Sequence, residues 1–197
     1  MSSYDWDSDY ESGDFRHWEP NASSSELAAL VAAGLIDENA KVLDAGCGGG
    51  LDSVFLAQCG LRVMGVDLSK RALEIARERA EGARVEVDWL VGSVLGLPVR
   101  AESFDLVTDR GLFHVIEDVD RLGYSSEMFR VLRPSGCIVI RGASEEIGQD
   151  RFNPITDAAV DKAFPKSRWR RGAVVPILLS SSAGTIDARI VMLQKTE

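Results

Sequence analysis

Residues 41–67 constrain the fold more than any other stretch of the chain. Val42 and Leu43 end a short apolar run bounded by turn residues, the pattern of a buried parallel strand. Gly46, Gly48 and Gly50 follow at every second position. Glycine lets the chain turn sharply with positive φ and lets a ligand approach bare backbone. Residues 51–59 then read as a helix whose first N–H groups point back at that turn, a place suited to a carboxylate or phosphate. A second strand over residues 61–66 runs into Asp67, about 20 residues beyond the first glycine, where an acid can accept hydrogen bonds from the hydroxyls of a ribose. Strand, glycine turn, helix, strand and acid in that order predict a site for a nucleoside-containing cofactor.

The glycine spacing narrows the cofactor. The dinucleotide fingerprint is G-x-G-x-x-G. Counted from Gly46, its third glycine would fall on Leu51, and counted from Gly48 it would fall on Ser53. The observed pattern is G-x-G-x-G with an acid, Asp44, two residues ahead, which argues against a nicotinamide dinucleotide.

The rest of the chain alternates strand and helix. Ser24 or Ser25 can cap a helix carrying Leu27, Leu30, Val31 and Leu35 on one face, with Gly34 at its end. Ser69 can cap another, with Leu73, Ala76 and Ala80 facing inward. Strands are predicted over residues 85–91, 104–108 and 137–141, with a helix over 125–132 and a turn at 133–136. Asn153 and Pro154 are placed to open a further helix. Residues 169–179 and 186–193 read as an antiparallel hairpin. The pattern predicts one doubly wound α/β domain over residues 1–197: a seven-stranded, mostly parallel sheet, helices on both faces, and a hairpin at its end. Val42, Leu43, Val63, Val66, Leu106, Val107, Ile138, Val139 and Ile140 are the expected sheet core. In such sheets ligands sit beyond the carboxyl ends of the strands. There the chain carries the 46–50 turn, Asp67, Ser93 and Asp109.

Charge and cysteine content exclude other classes. A formal net charge of −9 disfavours a nucleic-acid partner, because phosphates need a basic surface. Three scattered cysteines and two histidines give no zinc-site or disulfide spacing, so no metal is expected. The acidic, polar start lacks the cationic and apolar regions of a signal peptide, and no apolar run approaches the ~20 residues that span a bilayer. The expected location is the cytoplasm. Residues 1–22 combine Tyr4, Trp6, Tyr10, Phe15 and Trp18 with many acids. Disordered tails have few aromatic residues, so this segment is expected to lie across the 23–197 core, as a lid over the acceptor at least from Phe15 onward.

Five motifs carry a family resemblance. Val42-Leu43-Asp44-Ala45-Gly46-Cys47-Gly48-Gly49-Gly50 resembles the first motif of class I S-adenosylmethionine-dependent methyltransferases, and Gly65-Val66-Asp67-Leu68-Ser69 the second. Gly92-Ser93-Val94-Leu95-Gly96-Leu97-Pro98 and Ser103-Phe104-Asp105-Leu106-Val107 are similar to the third and fourth. Arg130-Val131-Leu132-Arg133-Pro134-Ser135-Gly136 resembles the turn before the fifth strand. The resemblance implies that Asp44 and the Gly46, Cys47, Gly48 and Gly50 turn hold the amino-acid end of S-adenosylmethionine. It implies that Asp67 holds the ribose, that Leu68, Ser93 and Val94 flank the adenine, and that Asp109 lines the cofactor pocket. Many relatives carry Asp where this chain has Ser93. The product would be S-adenosylhomocysteine.

Asp109-Arg110-Gly111-Leu112-Phe113-His114 resembles the small tellurite-resistance and thiopurine methyltransferases, which act on small nucleophiles. That places Trp18, Arg110, Phe113 and His114 beside a small-molecule acceptor reacting through sulfur, selenium, tellurium, nitrogen or oxygen, in a monomer or homodimer. His114 is the candidate general base for an acceptor that must lose a proton. Arg110 either holds an anionic acceptor or pairs with an acid of the N-terminal segment. A cofactor-binding module without catalysis and a nicotinamide-dependent oxidoreductase are the alternatives.

Overall fold

The computed structural model describes residues 4–17, 19, 22–144, 153–181 and 184–196. Trp18 and Pro20 fall outside these. The strands are β1 (Lys41–Ala45), β2 (Arg62–Asp67), β3 (Asp88–Val91), β4 (Phe104–Arg110), β5 (Leu132–Ala143), β6 (Trp169–Arg171), β7 (Val175–Ser181) and β8 (Gly184–Lys195). The helices are α1 (Trp6–Ser12), α2 (Ser25–Ala32), α3 (Leu51–Gln58), α4 (Lys70–Ala83), α5 (Arg121–Val131) and α6 (Asp157–Ala163), with a 3-10 turn at Asp14–His17. The sheet order is β3-β2-β1-β4-β5-β8-β6, with β7 also on β8. β1 pairs in parallel with β2 and β4, and β4 with β5, while β8 runs antiparallel to β5. None of the helices described is long and apolar enough to cross a membrane.

Consecutive residues of the central strands feed opposite faces, as the pleat requires. Val42, Leu106 and Val139 pack with Leu27 of α2 and Leu56 of α3. Leu43, Val107, Ile138 and Ile140 pack with Tyr124 and Met128 of α5 and with Phe164 and Trp169. Each of these fully buried aliphatic side chains contributes roughly 1.5–3 kcal/mol relative to exposure. A sheet clad on both faces opens to ligand at its strand ends. All nine residues expected in the sheet core are buried.

The helix starts follow from capping. Ser24 Oγ accepts from Leu27 N, Ser69 Oγ from Ala72 N and Thr156 Oγ1 from Ala159 N. Four details depart from the sequence reading. α2 stops at Ala32, so Leu35 lies beyond it and is 69% exposed. Asn153 and Pro154 do not open α6, because Thr156 caps it and Asn153 N instead donates to His114 O at 2.8 Å. α5 begins at Arg121, four residues before the predicted start at 125. The predicted strand over 169–179 is interrupted where Gly172 N donates to Met192 O, so the described residues form eight strands where seven were expected.

Candidate active site

The 46–50 turn joins β1 to α3 at the carboxyl end of the sheet. Gly48 and Gly50 take left-handed φ values of 51° and 76°, which cost a residue with a Cβ far more than glycine. A methyl group added at Gly50 would lie 2.7 Å from the ring of Trp89. Gly50 starts α3 and, having no side chain, makes no capping hydrogen bond to the first turn of that helix. The Asp67 carboxylate ties the turn to the second strand: Oδ2 accepts from Gly48 N and Oδ1 from Ser69 N, both at 2.9 Å. The Leu68 N–H also donates to the carboxylate, which still keeps acceptor capacity for a ribose hydroxyl. Burial raises the Asp67 pKa, and the N–H donors from Ser69 and Gly48 oppose that rise.

Behind the turn lies a buried charge cluster. Asp44 Oδ2 accepts from Ser53 Oγ at 2.6 Å. Burial, then the charge of Asp52, pushes the Asp44 carboxyl up to about 7. Asp52, in the first turn of α3, pairs with Arg110 at 3.2 Å and with Arg141 at 3.0 Å, and accepts from Ser24 N at 2.9 Å. Arg141 also donates to Ser24 Oγ and Thr108 Oγ1. One carboxylate thus joins α2, α3, β4 and β5. The sequence reading missed Asp52 and Arg141; an acid in the first turn after the glycines was the only local sign. Among the described residues Arg110 pairs with this acid and not with one from the N-terminal segment, which it meets through the Ala22 carbonyl at 3.2 Å.

On the adenine side, Leu68 is 40% exposed and Val94 is buried. Ser93 Oγ accepts from Leu95 N at 3.1 Å, a local turn bond. Cys47 sits within the turn, its thiol pushed up by burial.

The segment after β4 turns inward. Asp109 is fully buried and accepts from Leu112 N at 2.9 Å, Phe113 N at 3.0 Å and Tyr124 OH at 2.7 Å. Burial raises its carboxyl to about 6 against those donors. Phe113, expected beside the acceptor, is fully buried against Tyr124 and Phe164, with the Arg121 guanidinium 4.3 Å from its ring. In this arrangement it offers an acceptor no surface. His114 Nδ1 accepts from Ala143 N at 2.8 Å. An imidazole whose Nδ1 is an acceptor carries its proton on Nε2. Burial and the charge of Arg121 lower its pKa to about 4, so it is neutral at neutral pH. Trp18 lies outside the described residues. In the basic run near the last hairpin, Trp169 is core, packed on Phe129 and Phe164, and Arg171 pairs with Asp157 and Asp161.

Comparisons with known proteins decide the family. A methyltransferase-domain family model matches residues 42–136. An uncharacterized methyltransferase of Schizosaccharomyces pombe is 31% identical over 116 residues, which is 59% of this chain and 79% of that one. The chain belongs to the class I S-adenosylmethionine-dependent methyltransferases. S-adenosylmethionine is the cofactor that this family uses. This methyltransferase is also 35% identical over 100 residues to the ubiquinone biosynthesis O-methyltransferase of Sinorhizobium fredii, covering 51% of this chain. It spans only 40% of that relative's length. A solved structure described for the conversion of a disulfide bond into a thioacetal group during echinomycin biosynthesis superposes with a TM-score of 0.79. It is 25% identical and the match covers 93% of this chain and 91% of that one. The fold is also that of the N-methyltransferase NodS of Bradyrhizobium japonicum, solved with S-adenosylhomocysteine, at a TM-score of 0.69, 19% identity and coverage of 88% and 85%.

The residues present fit the cofactor. Asp67 lies beside the 46–50 turn, tied to Gly48 N at 2.9 Å, and the turn opens a helix whose cap position brings no side-chain hydrogen bond.

Proposed function

We propose that the enzyme methylates a small-molecule nucleophile by in-line displacement, with sulfur as the favoured acceptor atom and selenium or tellurium as its chemical equivalents. Asp67 would hold the ribose, the 46–50 turn and Asp44 the amino-acid end, and Leu68, Ser93 and Val94 the adenine edge. Bound S-adenosylmethionine supplies a methyl group already activated on a sulfonium. The chain then has to orient the acceptor and exclude water.

The observation that carries the choice of sulfur is the state of His114. It is neutral, and its Nδ1 lone pair is occupied by the Ala143 N–H, so it is poorly placed to take a proton. Asp109 spends its oxygens on Leu112, Phe113 and Tyr124. An amine or hydroxyl acceptor needs a proton removed, whereas a thiolate, thioether or disulfide sulfur has a usable lone pair at neutral pH. The similarity to the protein described for disulfide-to-thioacetal conversion supports reaction at sulfur. The net charge of −9 supports a small molecule over nucleic acid. A phenolic oxygen acceptor is the second reading, favoured by the likeness to the ubiquinone O-methyltransferases.

A matched acceptor panel separates the two. Thiols, selenols and cyclic disulfides are assayed beside catechols, phenols and amines, with S-adenosylhomocysteine formation as the readout. Sulfur acceptors are expected to turn over at least tenfold faster. Turnover confined to phenols would reject the sulfur reading.

A further inference from the structure

The family model begins at residue 42, yet a side chain from far ahead of it reaches the cofactor turn. Three attachments hold α1 against the cradle. Asp7 Oδ1 accepts from Ser69 Oγ at 2.6 Å and from Arg71 N at 3.1 Å, sitting at the start of α4 just beyond Asp67. Glu19 pairs with Arg79 at 3.3 Å, and Arg79 also donates to the carbonyl of Gly49 inside the turn. Phe15 is buried and stacks on Tyr10 with ring centroids 4.6 Å apart. The first two attachments run to elements that form the cradle itself, α4 and the turn.

The result is a fixed position for Tyr10. A methyl group at Gly48 would lie 2.5 Å from the Tyr10 hydroxyl. The hydroxyl therefore sits on the bare backbone that the glycine leaves open. Burial and the negative charges of Asp67 and Glu19 push its pKa well above the ordinary tyrosine value, so it stays protonated and can donate. The cofactor offers acceptors to such a donor at both ends: the carboxylate of its amino-acid tail and the oxygens of its ribose. α1 is short: it contains seven residues, and none of them is fully buried, although Tyr10 is largely covered. A short helix without a fully buried residue is kept in place by its attachments and can lift when they break.

We propose that Tyr10 is a cofactor-contact residue and that α1 is the removable wall of the cradle, latched by Asp7 and Glu19, so that the adenosyl cofactor enters and leaves when α1 lifts. This differs from a lid over the acceptor, because it acts on the cofactor with no acceptor present. It does not depend on which atom the enzyme methylates.

The test uses the full chain and S-adenosylhomocysteine, with affinity from calorimetry and release rate from stopped-flow displacement. Tyr10→Phe keeps the stack on Phe15 and loses one hydrogen bond, so its Kd is expected to rise about fivefold. Tyr10→Ala is expected to raise it by about tenfold or more. Asp7→Ala leaves Tyr10 intact but opens the latch, and is expected to speed release by about fivefold or more. Hydrogen exchange in residues 6–12 is expected to slow when the ligand is added. Should Tyr10→Ala not fold, Tyr10→Phe and Asp7→Ala carry the test. Unchanged affinity and release in Tyr10→Phe and Asp7→Ala would overturn the proposal. So would tighter binding in a Tyr10 variant, since Tyr10 would then be a plug that competes with the cofactor. In either case normal binding by the parent chain leaves the methyltransferase assignment standing.

Discussion

The turn at residues 46–50 and the stretch from Asp109 to His114 both lie at the carboxyl ends of neighbouring strands, and both carry an acid beside glycine. They use their polar atoms in opposite ways. At the turn, Asp67 is partly exposed and accepts only from main-chain N–H groups, those of Gly48, Ser69 and Leu68, which leaves acceptor capacity in reserve. At the end of β4, Asp109 is closed off by two backbone N–H groups and a tyrosine hydroxyl, and just beyond it Phe113 is in the core and His114 is tied to Ala143. A strand-end acid is thus a ligand site only when its neighbours leave it unsaturated. The same residue type, saturated from within, is a structural knot.

That contrast can be broken by substitution. Asp109→Ala would leave three buried donors unpaired and is expected to cost about 3 kcal/mol, or about 6–12 °C in Tm, with little change in cofactor affinity of the folded protein. Thermal melts and calorimetry with S-adenosylhomocysteine read the two effects; a large affinity loss without destabilisation would make Asp109 a cofactor ligand. Asp67→Ala is expected to shift the loss toward binding. It should weaken cofactor binding at least tenfold, since two ribose hydrogen bonds at about 1 kcal/mol or more each would go, and it should also lower the melting temperature, since the Gly48 and Ser69 N–H groups lose their acceptor. An unaltered affinity would reject its role.

The Asp44 carboxyl gives a pH signature. A carboxyl that holds its proton more tightly when folded favours the folded state fully below its unfolded pKa and loses that contribution as pH climbs through the folded value. Asp44 is raised from an ordinary 3.8 to about 7. Relative to Asp44→Asn, the parent protein should therefore lose stability as pH rises from about 4 to about 7, by at most about 1.4 kcal/mol per pH unit. Parallel stability curves in urea titrations across that range would show that Asp44 ionises freely. The smallest effect is expected at His114. His114→Gln keeps an acceptor for the Ala143 N–H, so kcat with a thiol should change by less than about threefold, where loss of a working general base typically costs 100-fold or more. A drop of that larger size, with the rate titrating near pH 6–7, would restore His114 as the base.

The parts legible in the sequence were those built from neighbours. Strand, turn, helix and Asp67 fall within residues 41–67, where spacing alone fixes geometry, and short continuous apolar runs in β1, β4 and β5 marked the core. The rest depended on partners far along the chain. Asp52 meets Arg141 across 89 positions, His114 meets Ala143 across 29, and Asp7 meets Ser69 across 62. No local period reports such pairings. Thr156 outcompeted Asn153 as a helix cap because Asn153 was drawn to the His114 and Ile116 carbonyls. The break between β6 and β7 arises from a cross-strand bond at Gly172, which an apolar run over 169–179 does not reveal.

The division of labour between the two strand ends is tested most directly by a crystal structure of the protein with S-adenosylhomocysteine. The ribose hydroxyls should lie within hydrogen-bond reach of the Asp67 carboxylate, the amino-acid tail along the main chain of residues 46–50, and Asp109 should keep its bonds to Leu112, Phe113 and Tyr124. A ligand seated on Asp109, or density anywhere but over the glycine turn, would contradict the account.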